Sequence, residues 1–197
     1  MIFSGLDFEV NPGEVLIVRG ANGSGKSSML RLAAGFLPTT EGELRRDGSL
    51  VNDNPESHFS RLHYLGHLNA LKPTFTGLEN LNSWGRLFGI QTNYTWHETI
   101  AQALDRLGLS AIAEIPAHFL SAGQQRRLAL VRLLAITRPL WLLDEPTSSL
   151  DDAGGETLVQ LITEHRSKGG MVIAAVHGNL PVSDAKTIVL GSENFES

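Results

Sequence analysis

The sequence predicts an α/β domain built on a largely parallel, buried β-sheet. Short apolar runs of strand length alternate along the chain with longer segments whose apolar residues recur at helical spacing. This alternation is typical of α/β proteins, in which helices cover the faces of a parallel sheet. With 197 residues, of which 42% are hydrophobic, the chain can bury one sizeable core. We therefore expect a single domain over residues 1–197.

Five apolar runs are predicted to be strands, and most of them precede a helix. They are EVLIV at 14–18, LHYLG at 62–66, LWLLD at 140–144, MVIAAV at 171–176 and TIVLG at 187–191. Between about 68 and 135 the pattern is mostly helical, and Thr76 and Glu79 have capping-box spacing at the start of a helix. This stretch is predicted to be a helical subdomain inserted into a core formed by about 1–67 and 136–197.

Composition and charge disfavour or exclude several functional classes. A net charge of −5 and a pI near 5.8 argue against a general nucleic-acid binder, whose binding surface is basic. The chain has no cysteine, which excludes disulfides, thiolate zinc sites and cysteine nucleophiles. No apolar run approaches the roughly 18 residues of a membrane span, and the N-terminus lacks the pattern of a signal peptide. Any membrane role is therefore expected to come through a partner.

The stretch GANGSGKSS at 20–28 follows the first predicted strand and opens a helical run. It matches the phosphate-binding pattern G-x-x-x-x-G-K-[ST] in the required strand–loop–helix context. Its glycines let backbone N–H groups close on a polyphosphate, while Lys26 reaches the β- and γ-phosphates and Ser27 holds Mg²⁺. A glycine-rich turn that only caps a helix is the disfavoured alternative. The residues predicted to bind the nucleoside triphosphate are Gly20, Ala21, Asn22, Gly23, Ser24, Gly25, Lys26, Ser27 and Ser28.

The run LWLLDEP adds two carboxylates at the end of a predicted buried strand. Asp144 can orient Mg²⁺, directly or through water. Glu145 is placed to polarise the attacking water as a general base. Adjacent acids that merely end a strand before Pro146 are the alternative, which the nearby phosphate loop makes weaker.

A second turn of small residues occurs in LSAGQQRR at 120–127. Ser121 and Gln124 have capping-box spacing, so a well-capped helix with no further role is one interpretation. Gly123 is unusual in a first helical turn, and the residues around it suggest no packing reason for it. A turn of Ser-Ala-Gly lets a phosphate approach exposed N–H groups, and that phosphate can belong to another molecule.

These motifs, in this order, resemble those of the ABC ATPases, whose signature motif is usually LSGGQ. The resemblance spans nearly the whole chain. It implies a P-loop NTPase nucleotide-binding domain of the ABC type that hydrolyses ATP with Mg²⁺ as a head-to-tail homodimer. It also implies that Ser121, Gly123 and Gln124 cover the γ-phosphate held by the other subunit. SSLD at 148–151 matches the D-loop, with Asp151 at the dimer seam, and His177 in AAVHG lies at the position that contacts the γ-phosphate.

Two departures from the family pattern stand out. His67 occupies the place of a glutamine that contacts the metal site and couples to the membrane subunit. Because imidazole is shorter and titrates near physiological pH, direct contact between His67 and Mg²⁺ is in doubt, while the coupling role is expected to survive. Only 19 residues precede Gly20, and Phe3 and Phe8 are the candidates to lie near the base, although neither has the spacing of the family's adenine-stacking aromatic. We expect either that the first strand is missing from this chain or that the protein begins before Met1.

Within the family, the chain resembles the ATP-binding subunits of the bacterial cytochrome c maturation system, also called haem exporter ATPases. The shared features are the histidine at 67, the LK at 71–72 and the alanine in the signature motif. The resemblance implies a peripheral subunit on the cytoplasmic face of the inner membrane, bound to integral membrane subunits, whose ATP hydrolysis releases a haem-loaded chaperone. Direct haem binding through His58, His63 or His67 is not expected, nor is nucleic-acid binding.

Other functions remain open. The chain could serve another small transporter, such as one for lipoproteins or metal chelates, and a co-encoded membrane subunit would decide this. A soluble ABC ATPase of DNA repair or iron–sulfur assembly is a more distant alternative, because the chain lacks a coiled-coil or zinc insertion. An unrelated P-loop kinase would explain Lys26 but not the turn at 120–124.

Overall fold

The computed structural model describes residues 5–191, which form seven strands and six α-helices. The strands are β1 (Val15–Gly20), β2 (Arg45–Arg46), β3 (Ser49–Leu50), β4 (Leu62–Leu65), β5 (Leu140–Asp144), β6 (Met171–Ala175) and β7 (Lys186–Leu190). The helices are α1 (Lys26–Ala33), α2 (Pro55–Phe59), α3 (Gly77–Leu87), α4 (Tyr94–Arg106), α5 (Ala122–Ala135) and α6 (Asp152–Ser167). Short 3₁₀ turns occupy Val51–Asp53, Ser110–Ile112 and Ala117–Phe119. All five predicted strands are present, so that part of the sequence prediction is confirmed.

Five strands form one sheet in the order β4-β5-β6-β1-β7, and every neighbouring pair is parallel. The register places Leu142 of β5 beside Ile173 of β6, which in turn lies beside Leu16 of β1. Since all five strands run the same way, their carboxyl ends lie along one edge of the sheet. In open parallel sheets this edge is where ligands bind.

The sheet is buried because its central strands are apolar along their whole length. All five residues of β5 are buried, and so are the first four of β1. Helix α1 packs Met29, Leu30 and Ala33 onto the cluster that these strands form. A run of consecutive apolar residues in a strand is what burial on both faces requires.

The hairpin of β2 and β3 was not predicted from the sequence. Its turn is Asp47–Gly48, and both residues have positive φ, 49° and 79°. This is the conformation of a type I′ turn, for which Asp-Gly is a preferred pair. The dipeptide was thus a usable signal, but strands of two residues are too short to give an alternating pattern.

The described residues divide into two compact units. The core unit comprises 5–67, 138–146 and 159–191 and contains the parallel sheet. The helical unit comprises 68–137 and 147–158 and contains α3, α4, α5 and the beginning of α6. Residues 147–158, which the sequence analysis placed in the core, thus belong to the helical unit.

Within the helical unit, α5 packs against both α3 and α4. The Arg132 guanidinium of α5 lies 4.7 Å from the centre of the Trp84 ring of α3. The Trp96 indole of α4 donates to the Asn82 side-chain oxygen of α3 at 2.8 Å. The predicted capping box of α3 is present, since Thr76 accepts from the Glu79 N–H and Glu79 accepts from the Thr76 N–H. Within residues 5–191, none of the helices has the length and apolarity needed to cross a membrane.

Candidate nucleotide-binding site

The predicted phosphate loop connects β1 to α1 and depends on left-handed glycines. Gly20, Gly23 and Gly25 have φ values of 150°, 81° and 97°. A β-carbon at Gly20 would lie 2.5 Å from the Ser24 hydroxyl oxygen and 2.6 Å from the Leu190 carbonyl oxygen. The loop therefore requires glycine at position 20 for space as well as for backbone conformation.

The loop and the start of α1 fit a polyphosphate. No side chain caps α1 at Gly25, and its first turn contains no acidic residue. The Ser24 hydroxyl is buried without a hydrogen-bond partner. Lys26 is only 6% exposed, and its ammonium group donates to the carbonyl oxygens of Gly20 and Ala21 at 2.9 and 3.0 Å. A bound phosphate chain would neutralise the Lys26 charge, accept hydrogen bonds from the uncapped N-terminus of α1 and pair with the Ser24 hydroxyl.

Ser27 and Asp144 meet at the carboxyl edge of the sheet. The Ser27 hydroxyl donates to the Asp144 carboxylate at 3.0 Å, and Asp144 is buried at the end of β5. Between residues 5 and 191 there is no group of three or more His, Cys, Asp or Glu side chains suited to a metal ion. A hydroxyl beside a carboxylate fits Mg²⁺, which keeps several waters and binds through one or two carboxylates plus substrate phosphates. Ser27 and Asp144 would hold the ion here.

Glu145 follows directly and has an unusual backbone. Its φ is 45°, in the left-handed region that non-glycine residues rarely adopt, and its N–H donates to the Ala175 carbonyl oxygen of β6 at 2.9 Å. Such strained residues cluster at functional sites, where the surrounding structure holds them. The predicted general base therefore occupies a constrained position beside Asp144, a feature that its sequence context did not reveal.

Two predicted histidines lie at the same edge of the sheet. His177 follows β6, and His67 follows β4, and both side chains are exposed. Because β4, β5, β6 and β1 are parallel, their following loops meet at one edge with the phosphate loop. The structure thus gathers the predicted core-unit residues along one edge of the sheet, as their motifs require.

The turn at 120–124, which we call the signature turn, begins helix α5 in the helical unit. Ser121 accepts from the Gln124 N–H at 3.2 Å, and Gln124 accepts from the Ser121 N–H at 2.8 Å, which confirms the predicted capping box. A β-carbon at Gly123 would lie 2.8 Å from the Ser149 carbonyl oxygen.

This contact within the chain explains why position 123 is a glycine. Ser149, in the D-loop at 148–151, has a φ of 66° in the left-handed region, and its carbonyl oxygen lies against Gly123. The inference that no packing explains Gly123 is therefore wrong. The sequence alone could not show this contact, because Ser149 lies far from Gly123 along the chain. The predicted anion site at this turn then depends on its exposed residues Ser121 and Ala122.

Asp151 has a local role as well. Its carboxylate accepts from the Gly154 N–H at 2.9 Å, in the first turn of α6. A carboxylate in this place satisfies an N–H group that the helix leaves unpaired. The contact expected at a dimer seam remains a prediction for this exposed side chain.

His58, His63 and Phe8, which were considered for haem or adenine contacts, are wholly or partly buried. His58 is buried in α2, where burial lowers its pKa and its Nε2 atom lies 2.9 Å from the Ala33 carbonyl oxygen. His63 is buried within β4. Phe8 is half-buried and packs against the core cluster, whereas Phe3 lies outside the described residues.

Comparison with known proteins decides the family. A family profile described as ABC transporter matches residues 3–148. The chain belongs to the ABC transporter family. Its fold agrees with solved members of that family: over 93% of this chain and 83% of the other, it matches the dimeric structure of MJ0796, a bacterial ABC transporter cassette, with a TM-score of 0.81 and 28% identity. A post-hydrolysis state of the same cassette, bound to ADP and Pi, matches with a TM-score of 0.80. The chain is thus an ATP-binding and ATP-hydrolysing subunit of the ABC type.

Curated relatives are more similar still. The chain is 44% identical to a cytochrome c biogenesis ATP-binding export protein CcmA from Paramagnetospirillum magneticum, across 96% of this chain and 87% of the relative. It is also 44% identical to the protein of the same name from Rhodospirillum rubrum, across 96% of this chain and 79% of the relative. The resemblance to ATP-binding subunits of cytochrome c biogenesis that the motifs suggested thus extends over nearly the full chain.

Proposed function

We propose that this chain is the ATP-hydrolysing subunit of a bacterial inner-membrane ABC complex for cytochrome c biogenesis, peripheral on the cytoplasmic face. The observation that carries the proposal is 44% identity over 96% of the chain to relatives named for that process. The histidine at 67 and the alanine at 122, both unusual in their motifs, add support from the sequence.

In the proposed reaction, the predicted site residues of the core unit have distinct roles. Lys26 and the loop N–H groups bind the β- and γ-phosphates of ATP. Ser27 and Asp144 would hold Mg²⁺, which would neutralise charge on the phosphates. Glu145 accepts a proton from the attacking water, and His177 contacts the γ-phosphate. The left-handed backbone of Glu145 limits the directions in which its carboxylate can point.

The proposed catalytic form is a homodimer. Ser121, Gly123 and Gln124 of one subunit would cover the γ-phosphate held by the other, and Asp151 would lie at the seam. Support comes from the exposure of Ser121 and Ala122 and from the similarity to a cassette solved as a dimer. Such a composite site makes hydrolysis depend on dimer closure.

The proposed docking surface for the integral membrane subunits lies in the helical unit. Leu68 is 81% exposed and Phe119 is 72% exposed, which is high for apolar side chains. Lys72 is also exposed, with its ammonium group 4.6 Å from the centre of the Phe75 ring. Exposed apolar side chains and an exposed cation in these loops suit a partner that contributes apolar and acidic side chains. Replacing Leu68 or Lys72 should uncouple hydrolysis from its output.

Haem staining of periplasmic cytochromes tests the cellular role. In a strain that lacks this gene and any second maturation system, c-type cytochromes should disappear while other haem proteins persist. The wild-type gene should restore them, whereas Lys26→Ala should load haem onto the periplasmic chaperone but fail to release it. The isolated chain should bind no haem in a titration. Normal c-type cytochromes in the deletion strain would refute the role in cytochrome c biogenesis and favour a transporter ATPase for another cargo.

A further inference from the structure

The first turn of α5 holds two loops of the helical unit. The Gln125 side-chain amide donates to the carbonyl oxygens of Ala117 and Leu120, both at 3.0 Å. The next residue, Arg126, is buried and donates to the Asn69 side-chain oxygen at 3.1 Å. Both residues directly follow the signature turn, so any displacement of that turn displaces the groups they hold.

The loop at 117–120 is in turn bonded to the loop at 72–76. The Ala117 N–H donates to the Phe75 carbonyl oxygen at 2.8 Å. The Pro73 carbonyl oxygen accepts from the His118 N–H at 3.0 Å and from the His118 ring atom Nδ1 at 2.8 Å. Backbone and side chain thus join the two loops at adjacent positions.

The loop at 72–76 is also fixed from its other side by α3. Asn80 is 2% exposed, and its side-chain oxygen accepts from the Lys72 N–H at 2.8 Å. Its amide nitrogen lies within hydrogen-bond distance of three carbonyl oxygens, those of Lys72, Phe75 and Thr76. A buried amide with all its groups paired holds a loop in one conformation.

We propose that Gln125 and His118 are positioning residues that couple the signature turn to the docking loop at 68–76. The proposal rests on the proposed dimer and docking surface and adds the connection between them. A chain of hydrogen bonds runs from Gln125 through Ala117 and His118 to Pro73 and Phe75. Arg126 adds a parallel link to Asn69. Closure of a partner's phosphate on the signature turn would therefore move the docking loop as one body with α5.

The test uses two matched pairs of variants in the full-length chain. Gln125→Glu keeps the size of the side chain but removes both donors, whereas Gln125→Lys keeps a donor. His118→Leu removes the ring donor at an exposed position, where folding is little affected, whereas His118→Asn keeps a donor near the place of Nδ1. Each variant is measured for its isolated ATPase rate and for stimulation of that rate by the membrane subunits that copurify with the wild-type chain.

We expect Gln125→Glu and His118→Leu to lose stimulation by about tenfold, the scale of a coupling free energy between sites, while isolated ATPase is nearly unchanged. Gln125→Lys and His118→Asn should retain stimulation. Equal loss of isolated ATPase and stimulation, or full stimulation in His118→Leu, would overturn the proposal. Copurified subunits report coupling whether or not the complex serves cytochromes, so failure of the cytochrome assay is distinguishable from failure of this connection.

Discussion

The phosphate loop and the signature turn, which both contain glycine, open their helices in opposite ways. Helix α1 has Gly25 at its N-cap, with no side-chain cap and no acidic residue in its first turn. Helix α5 has Ser121 at its N-cap, with a complete capping box, and therefore has side-chain acceptors of its own. An uncapped helix N-terminus keeps unpaired N–H groups and a partial positive charge that favour a bound anion. In a capped helix, side chains of the same chain already pair some of those N–H groups.

The difference indicates how each turn can act on a nucleotide. The phosphate loop can bind a polyphosphate by itself. Lys26 donates to two backbone carbonyl oxygens, and the buried Ser24 hydroxyl has no hydrogen-bond partner, so no carboxylate occupies either group. The signature turn offers fewer groups, and Gly123 is already packed against the Ser149 carbonyl oxygen. It is therefore suited to complete a site that another subunit has formed rather than to bind ATP alone.

The largest expected effect lies in the core unit. Glu145→Gln should lower ATP hydrolysis by about 10²–10⁴-fold, the usual contribution of a general base, while ATP binding persists. Lys26→Ala, the comparison variant, should weaken binding itself because the loop loses its cation. Single-turnover hydrolysis and nucleotide titration separate the two effects. Wild-type turnover in a Glu145→Gln complex assembled with its partners would remove Glu145 from the role of base.

The next effect isolates the signature turn. Ala122 is exposed at the first position of α5, so Ala122→Asp should not disturb the fold, and an acid there favours the helix. The carboxylate should repel a partner's γ-phosphate and weaken ATP-dependent dimerisation by about a hundredfold, since like charges in contact cost several kcal/mol. ATP binding by the single chain should persist. Sedimentation in the presence of ATP, in a Glu145→Gln background, measures the change.

The control for that substitution is Tyr94→Asp, which places the same acid at the first position of α4, also exposed. It should leave dimerisation intact. Equal weakening by both substitutions would mean that net charge rather than the signature turn is responsible. Gly123→Asp is a poorer test, because any side chain at 123 meets the Ser149 carbonyl oxygen within the chain.

The smallest effect concerns stability and sharpens the contrast between the helix ends. Ser121→Ala removes the cap of α5 and should lower the free energy of unfolding by about 1 kcal/mol. Thr76→Ala, which removes the matching cap of α3, should cost a similar amount and serves as the comparison. Urea denaturation of both variants gives the values. An unchanged free energy of unfolding in Ser121→Ala would show that the capping box contributes little to stability. The N-termini of α1 and α5 would then differ less than their hydrogen bonds indicate.

Much of the fold could be predicted from the sequence because the signals are local. Apolar runs such as LWLLD predict buried strands, and a capping box needs only two residues three positions apart, as at Thr76 and Glu79. The phosphate loop is likewise contained in nine consecutive residues at 20–28. The hairpin at 45–50 was missed because its strands are two residues long.

By itself, then, the sequence determined the five strands of the parallel sheet, the capping boxes of α3 and α5 and the chemical identity of the candidate site residues. Only the tertiary structure decided what lies against them. The reason for glycine at 123 is a carbonyl oxygen of Ser149, and the fixed loop at 68–76 depends on Arg126 meeting Asn69, 57 positions away along the chain. The left-handed backbone of Glu145 likewise depends on how β5 ends beside β6. Such contacts join residues far apart along the chain, and their partners are set by how the chain packs rather than by any local pattern.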